Sequence, residues 1–474
     1  MSDMKVGTLL LPEAVDLENY GSQVESGDVR VETNIVRPIS FSDGRGRGGH
    51  ASFTLPPLGI IQDAVLVFAT ETSNTAHGYP AYYPGNVGLA SAIDEISLTI
   101  GGKKICSTNH FGHFFGSQRG YRDMDKRRHI DMIKYGTNDF LQVKQNHAGN
   151  ANDGVGYVNS EYNVVTRLGN NTGNDNSSTH MLHLSDMFKF FNTNFDIPAY
   201  LLNSDQQIQI HIRFRNETDW GSRQVISQAT NTAFGANTCN IVKESIKLIV
   251  DNVFLDEPRM AAIRQSYMQG QVLSYTDLEA TNITMTAPGA QEETKIITFN
   301  GAGKKLVGWT AALPITQATA IINECRVHTH GIYNSYGQDR IGYNVQINNK
   351  NQLNTASRNM LPSEVIALLS TFNPNNDYIE QPKGLTDFLY GNSGGVSDTT
   401  INTSAQNREA YSGIANYLGF SLGDGIQVSN VAPTLELYRN RTTSNANLAA
   451  QNCIIWAYTI RYFSIRDGRV SISY

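Results

Sequence analysis

Histidine is the residue type in this sequence that most invites a search for a metal centre. The chain contains 11 histidines. They include three close pairs: His110 with His113, His180 with His183, and His328 with His330. A structural zinc site takes about four nitrogen or sulfur ligands in a tetrahedral set, and no cysteine or carboxylate stands at ligand spacing inside any of these pairs. We therefore expect structural or surface histidines and no bound metal.

The cysteines do not complete a ligand set either. There are four of them, Cys106, Cys239, Cys325 and Cys453, and they are far apart in the chain. None belongs to a Cys-x-x-Cys pair, the spacing typical of zinc sites and redox motifs. We expect four buried thiols in a reducing compartment.

Two glycine-rich stretches have the composition of phosphate-binding loops. Residues 43–49 combine Arg45 and Arg47 with glycines, but no strand-then-helix pattern surrounds them, so we expect a basic surface loop, with nucleic-acid contact as the alternative. Residues 300–305 lack the Gly-x-x-x-x-Gly-Lys-Ser/Thr spacing. Neither stretch predicts a nucleotide site.

No complete catalytic constellation is visible in the sequence. There is no Gly-x-Ser-x-Gly elbow, and a glycosidase carboxylate pair, which can be distant in sequence, stays open as an alternative. We predict that the protein is not an enzyme. It is expected to have no catalytic, cofactor-binding or metal-binding residues and to need no cofactor.

The composition favours an all-β protein with two cores. The chain has 474 residues, 41 of them glycine, and 17% are charged, below the usual ~25%. A net charge of −6 gives no bulk attraction to nucleic acid. No secretory leader and no apolar run of transmembrane length are expected.

Alternating apolar residues predict strands throughout the chain. Ile208, Ile210, Ile212 and Phe214 alternate with polar residues, which gives a strand with one apolar face. Residues 256–258, Asp-Glu-Pro, are typical of a helix start. Residues 467–468, Asp-Gly, suit a type I′ hairpin turn.

Two weak internal matches indicate a duplicated domain. Residues 92–102 match 321–331, 229 positions later, and residues 245–248 match 459–462, 214 positions later. Both offsets are close to half the chain. We predict an N-terminal arm (1–28), a first domain (29–256), a linker helix (257–270) and a second domain (271–474).

Several of these segments resemble one protein family. They are an apolar run with Pro198 before the polar turn 203–205, the alternating strand 208–214, a strand closed by Gly101 and Gly102, and a final strand followed by residues 465–468, Ile-Arg-Asp-Gly. Residues 252–259 resemble the family's mid-chain motif, with Asn252 where the family has tyrosine, Pro258 as an intruding proline and Arg259 in place of glutamate. The chain resembles the double jelly-roll major capsid proteins of icosahedral double-stranded DNA viruses, which include nucleocytoplasmic large DNA viruses, virophages and polinton-like viruses.

The resemblance implies a fold and a role. The fold is two tandem eight-stranded jelly-roll β-sandwiches with short helices and long polar loop insertions. The role is that of a structural protein of the virion, made in the host cytoplasm or nucleus, whose homotrimers form pseudo-hexagonal capsomers that tile an icosahedral shell. Expected partners are neighbouring capsomers, penton and minor capsid proteins, and an inner membrane or cement protein for the arm, without sequence-specific nucleic-acid binding. Alternatives are a minor capsid or spike protein of the same fold, and a carbohydrate-binding or carbohydrate-active β-sandwich.

Two further expectations concern burial. Residues 142–182 and 383–410 are rich in Gly, Asn and Ser, so we predict exposed loops there. In the last long strand, Trp456, Tyr458 and Tyr462 share one face, which we predict to lie inside the second sandwich. The opposite face carries Ala457, Thr459 and Arg461.

Overall fold

The computed structural model describes most of both ends and the middle of the chain. The described residues are 29–42, 49–72, 81–82, 88–119, 169–170, 179–188, 190, 196–215, 222–223, 239–285, 292–299, 303–312, 339–347, 350–351, 418–428, 433–441 and 451–474. The predicted arm 1–28, the loop 383–410, the repeat segment 321–331 and most of the basic loop 43–49 lie outside them. So do Cys325, His328 and His330.

In the described part of the first half, residues 29–255, the chain forms strands, short 3-10 helices and two α-helices. Its helices are α1 (Phe111–Arg119) and α2 (Leu184–Met187). Its strands are β1 (Val29–Val36), β2 (Ser40–Ser42), β3 (His50–Thr54), β4 (Ile60–Thr72), β5 (Ala81–Tyr82), β6 (Ile93–Ile100), β7 (Lys103–Asn109), β8 (Gly169–Asn170), β9 (Thr179–His183), β10 (Ile208–Phe214), β11 (Ser222–Arg223), β12 (Cys239–Ile241) and β13 (Lys247–Leu255).

The second half, residues 273–474, follows a helix, α3 (Glu257–Met268). Asp256 precedes its first turn, and proline stands in that turn, where a missing N–H costs no intrahelical bond. The strands of this half are β14 (Leu273–Met285), β15 (Glu292–Thr298), β16 (Lys305–Ala312), β17 (Asp339–Ile347), β18 (Lys350–Asn351), β19 (Leu418–Gln427), β20 (Thr434–Arg441), β21 (Gln451–Arg466) and β22 (Arg469–Ser473).

Both halves repeat the same strand order. In the first, β1-β13-β4-β9 form one sheet and β3-β10-β6-β7 form another. In the second, the sheets are β14-β21-β16-β19 and β15-β20-β17-β18. Numbered along each half, the eight main strands pair as 1-8-3-6 and 2-7-4-5, which is the order of a jelly roll. The chain therefore has an all-β, double jelly-roll fold, as the sequence resemblance predicted.

The repeat found in the sequence matches this order in one of its two places. Residues 245–248 lead into β13 and residues 459–462 lie in β21, the last main strand of each roll. Residues 92–102 form β6 and its turn, whereas their proposed partner 321–331 lies outside the described residues. The strand that occupies the position of β6 in the second roll is β17.

The first sandwich is held together by apolar side chains at alternate positions of its strands, which pack against each other between the two sheets. Strand β10 shows it plainly, because Ile208, Ile210, Ile212 and Phe214 are all at most 3% exposed while their polar neighbours are not buried. These side chains face those of β4 and β13, including Leu66, Phe68 and Leu248, each fully buried. Burial of these apolar areas is the main favourable term for this half.

One predicted loop is partly wrong. Residues 142–182 were expected to be exposed, but residues 179–182 belong to β9, which pairs with β4 in antiparallel register. His180 and Leu182 are 2% and 0% exposed. Polar composition upstream masked the strand, whose five residues are too few to give a clear alternating signal.

The hairpin predicted at residues 467–468 is present. Asp467 and Gly468 have φ values of 50° and 72°, and Arg466 pairs with Arg469 across the turn. Both central residues lie in the left-handed region, as a type I′ turn requires. A Cβ on Gly468 would also collide with the side-chain amide of Asn203 in the first half.

No helix among the described residues is long and apolar enough to cross a membrane.

Candidate functional site: the interface between the two halves

Strand β7 of the first half lies along β14 and β21 of the second. The hydroxyl of Tyr275 donates to the carbonyl oxygen of Ile105 (2.7 Å), and the backbone N–H of Ser107 donates to Oδ1 of Asp277 (3.4 Å). The indole N–H of Trp456 donates to the carbonyl oxygen of Asn109 (2.9 Å). Positions 105, 107 and 109 alternate, so one side of β7 makes these three bonds.

An aromatic cluster closes the interface beside this strand. Phe114 of α1 packs edge-on against Trp456, with ring centroids 5.4 Å apart, and its ring lies 6.5 Å from that of Tyr458. The hydroxyl of Tyr458 lies 3.3 Å from Oγ1 of Thr310. Trp456, Tyr458 and Thr310 are each 0% exposed, so helix α1 of the first half covers this face of the second half's sheet.

The predicted placement of the aromatic face is therefore wrong. Trp456 and Tyr458 face the first half, while Ala457 on the opposite face packs with Leu306 and Val428 inside the second half. Both faces of β21 are buried between residues 453 and 460, because one meets its own sandwich and the other meets the neighbouring half. Tyr462 is 37% exposed, since it lies beyond the covered part of the sheet.

A buried ion pair joins β14 and β21 at the interface. The guanidinium of Arg461 lies 3.0 Å from the carboxylate of Asp277, which is 4% exposed, and 3.6 Å from that of Glu279. The guanidinium also lies over the ring of Tyr474, 4.7 Å from its centroid. Arg461 lies on the face opposite Trp456, as predicted, and its side chain is 14% exposed.

Burial and ion pairing have opposite effects on the pKa of Asp277. Removal from water disfavours the carboxylate and raises its pKa, while the adjacent Arg461 guanidinium and two backbone N–H bonds lower it. Burial is the larger effect, and the pKa of Asp277 is raised from 3.8 to about 6. Burial also raises the pKa of Tyr275 and of the Cys106 thiol. The interface is thus a low-dielectric site without an activated nucleophile at Cys106.

The C-terminal hairpin forms a second contact between the halves. Asn203 donates its backbone N–H to Gly468 and its side-chain N–H to Asp467, both through carbonyl oxygens at 2.9 Å. The ammonium of Lys103 donates to the carbonyl oxygen of Val470 (2.7 Å). Val470 is 1% exposed and belongs to the same apolar cluster as the first half's core, so the hairpin is part of that core.

The two described histidine pairs lie in separate places. His110, with φ of 55°, lies 3.0 Å from the side-chain nitrogen of Asn282 and 3.8 Å from Asp94. Burial lowers the pKa of His110, and Asp94 raises it less. The rings of His110 and His113 are 6.3 Å apart. His113 is buried. Both histidines lie where the two halves meet, since His110 contacts Asn282 of the second half.

The other pair lies on the first half's sheet. His180 is buried, whereas His183 Nδ1 lies 2.5 Å from Oδ2 of Asp63. Asp63 Oδ1 also accepts the backbone N–H of Leu184. Within the described ranges, no three His, Cys, Asp or Glu side chains are grouped in a way that could hold a metal ion. Cys106 and Cys453 are buried free thiols, and burial raises the pKa of Cys453 to about 12.

Sequence reasoning missed the central ion pair of the interface. Asp277 and Arg461 are separated by most of the second half, and neither lies in a recognisable motif. The one available signal was the alternation of Tyr275, Asp277 and Glu279 on β14. Polar residues at alternate positions read as a solvent-facing side, although this face of β14 is the one that carries Ala457 and Arg461 on β21.

The fold relates this chain to solved capsid structures. No protein-family model matches the sequence, and no curated protein matches it by sequence. A chain of the PBCV-1 virus capsid is 15% identical, with a TM-score of 0.55 over 94% of this chain and 97% of that chain. The Sputnik virophage structure contains a chain that is 11% identical, with a TM-score of 0.56 over 95% and 89%. The mavirus major capsid protein is 11% identical, with a TM-score of 0.52 over 95% and 90%.

These similarities extend over both jelly rolls. The chain therefore shares the fold of double jelly-roll major capsid proteins, which the sequence segments had indicated.

Proposed function

We propose that this protein is a major capsid protein whose three copies form a pseudo-hexagonal capsomer of an icosahedral virion shell. The observation that carries the proposal is the repeated 1-8-3-6 and 2-7-4-5 strand order in both halves of one chain. Two similar rolls per chain give six similar wedges per trimer, and six wedges around a threefold axis make an outline that tiles a surface. The solved capsid chains with the same fold support this role.

The buried interface supplies the rigidity that such a building block needs. Hydrogen bonds from β14 and β21 to β7, the Phe114–Trp456 contact and the bonds between Asn203 and the C-terminal hairpin fix one roll against the other. A fixed angle between the rolls is required because an error in it would repeat at every wedge of the capsomer. The two-domain division at α3 is part of this proposal.

The proposal includes a place and partners. The protein acts in the virion, where its capsomers contact one another, penton proteins and minor capsid proteins. The arm 1–28 is proposed to contact an inner membrane or a cement protein. We assign the protein a structural role and no catalytic activity.

Mass and shape measurements test the proposal. Purified full-length protein should show, by light scattering after size-exclusion chromatography, three times the 52.2 kDa of one chain. Negative-stain images should show particles with a pseudo-hexagonal outline. A monomer at all concentrations, or a ring with another number of copies, would refute the capsomer.

A further inference from the structure

One face of the second half's main sheet is covered by the first half within the same chain. On β14, β21 and β16 this face carries Leu278, Tyr458, Trp456 and Thr310, of which Leu278 is 5% exposed and the others 0%. The covering elements are β7 and α1, which follow each other at one edge of the first roll. An apolar outer face of this sheet is therefore a contact surface between rolls.

The corresponding face of the first half, in its described residues, is apolar and partly exposed to solvent. Its sheet has the same order, β1-β13-β4-β9, and Leu248, Leu66 and Leu182 point into the core with 0% exposure. The alternate positions point the other way. Ile35 pairs with Ile249 and that residue with Val65, while Val67 pairs with Met181.

The exposure of these five residues contrasts with that of the second half's face. Ile35 is 65% exposed and Met181 is 36% exposed, and Ile249, Val65 and Val67 are half-buried. We call this surface, Ile35, Ile249, Val65, Val67 and Met181, the open face. Its apolar residues are contiguous across four strands, unlike single exposed apolar side chains, which need no explanation.

We propose that the open face binds the second half of another copy of this chain. The contact would repeat, between chains, the one that the first half makes on the second half within a chain. This inference rests on the proposed capsomer, and it specifies which surface holds the capsomer together. The edge strand that occupies the position of β7 in the second roll is β18, whose Lys350 and Asn351 are exposed.

The contact is head-to-tail, because it joins unlike surfaces of two identical chains. Such contacts close into a ring when the rotation between copies divides a full turn. Polar groups border the open face and fix its register: Thr33 donates to Asp251 (2.8 Å), and His183 bonds to Asp63. A polar border around an apolar centre is the usual make-up of a protein–protein interface.

Two isoleucines provide a matched test. Ile35 on β1 and Ile296 on β15 are both strand residues with 65% exposure. Ile296 lies on the edge of its sheet farthest from β18, away from the proposed contact. Ile35→Asp should therefore lower the trimer's stability to dilution at least tenfold, whereas Ile296→Asp should leave it as in the parent. Light scattering over a dilution series gives the mass, and circular dichroism with a thermal melt checks folding.

The outcomes separate this inference from the capsomer proposal. If the parent is a trimer and Ile35→Asp is a folded trimer of unchanged stability, the open face is not the contact, and the capsomer proposal stands. If the parent is a monomer, both fail. If Ile35→Asp does not fold, Met181→Lys on β9 tests the same face, and a trimer as stable as the parent's would overturn the inference.

Discussion

Trp456 and Asn109, 347 positions apart in the sequence, are joined by a 2.9 Å hydrogen bond from the indole N–H to the backbone carbonyl oxygen. The bond connects the central strand of the second roll's sheet to the end of an edge strand of the first. Since Phe114 packs on the same indole, Trp456 is the side chain whose loss should affect both the second roll and its attachment.

Trp456→Ala should lower the free energy of unfolding by about 3–5 kcal/mol, through lost apolar burial and the cavity left behind. Trp456→Phe should cost less but still about 1 kcal/mol or more, because the Asn109 carbonyl loses its donor. Tyr462→Ala, at a 37% exposed position of the same strand, is the control and should cost under ~1 kcal/mol. Urea unfolding measures all three. Equal losses at 456 and 462 would contradict the interface described for β21.

Asp277 should make stability fall as pH rises from about 4 to about 6. Its pKa is raised from 3.8 to about 6 by burial, so between these values the folded chain holds a proton that the unfolded chain releases. The contribution is fully present below pH ~4 and is lost as pH rises through ~6. It reaches about 3 kcal/mol at most.

Asp277→Asn keeps the shape of the side chain and removes its titration. The difference in unfolding free energy between the parent and this variant should therefore change with pH across that window and level off above it. Urea unfolding at a series of pH values measures the difference. A difference that stays constant from pH 4 to pH 7 would show that Asp277 does not titrate as described.

Arg461→Met should destabilise the fold by about 3–5 kcal/mol, because it leaves the Asp277 carboxylate buried without its cation. The double change Asp277→Asn with Arg461→Met removes both charges and should recover most of that loss. Thermal and urea unfolding near pH 7 compare the parent, the two single variants and the double variant. Strictly additive losses would mean that the two side chains do not interact.

Gly468→Ala should weaken the contact between Asn203 of the first half and the C-terminal hairpin of the second. The residue has φ of 72°, and an added Cβ would collide with the Asn203 side chain. Gly102→Ala is a matched control, since Gly102 has φ of 75° and open space around it. We expect the control to cost about 1–2 kcal/mol of backbone strain, and Gly468→Ala to cost at least ~1 kcal/mol more because Asn203 must move. Equal losses would show that the contact between the hairpin and Asn203 does not stabilise the interface between the halves.

The sequence was most informative where burial is one-sided and the strand is long. Strand β10, with alternate residues buried, and the Asp467-Gly468 turn could both be placed because local pattern and local geometry coincide there. The resemblance of short segments led to the fold. The predicted inner face of β21 was wrong, because a strand that is covered on both faces loses the alternation that identifies its inner side. The Asp277–Arg461 pair was out of reach because charged residues at alternate strand positions read as a solvent-facing side.

Strand β21 lies between β14 and β16 in its sheet, although both partners precede it in the chain. During synthesis, β14 therefore has no strand partner, and β16 pairs only with β19, until residues 451–466 have left the ribosome, whereas the first roll's strands β1 to β13 are already complete. A chain interrupted before these residues lacks the surface that α1 covers as well as the sheet itself. Only a chain translated through β21 can therefore complete the second roll and its contact with the first.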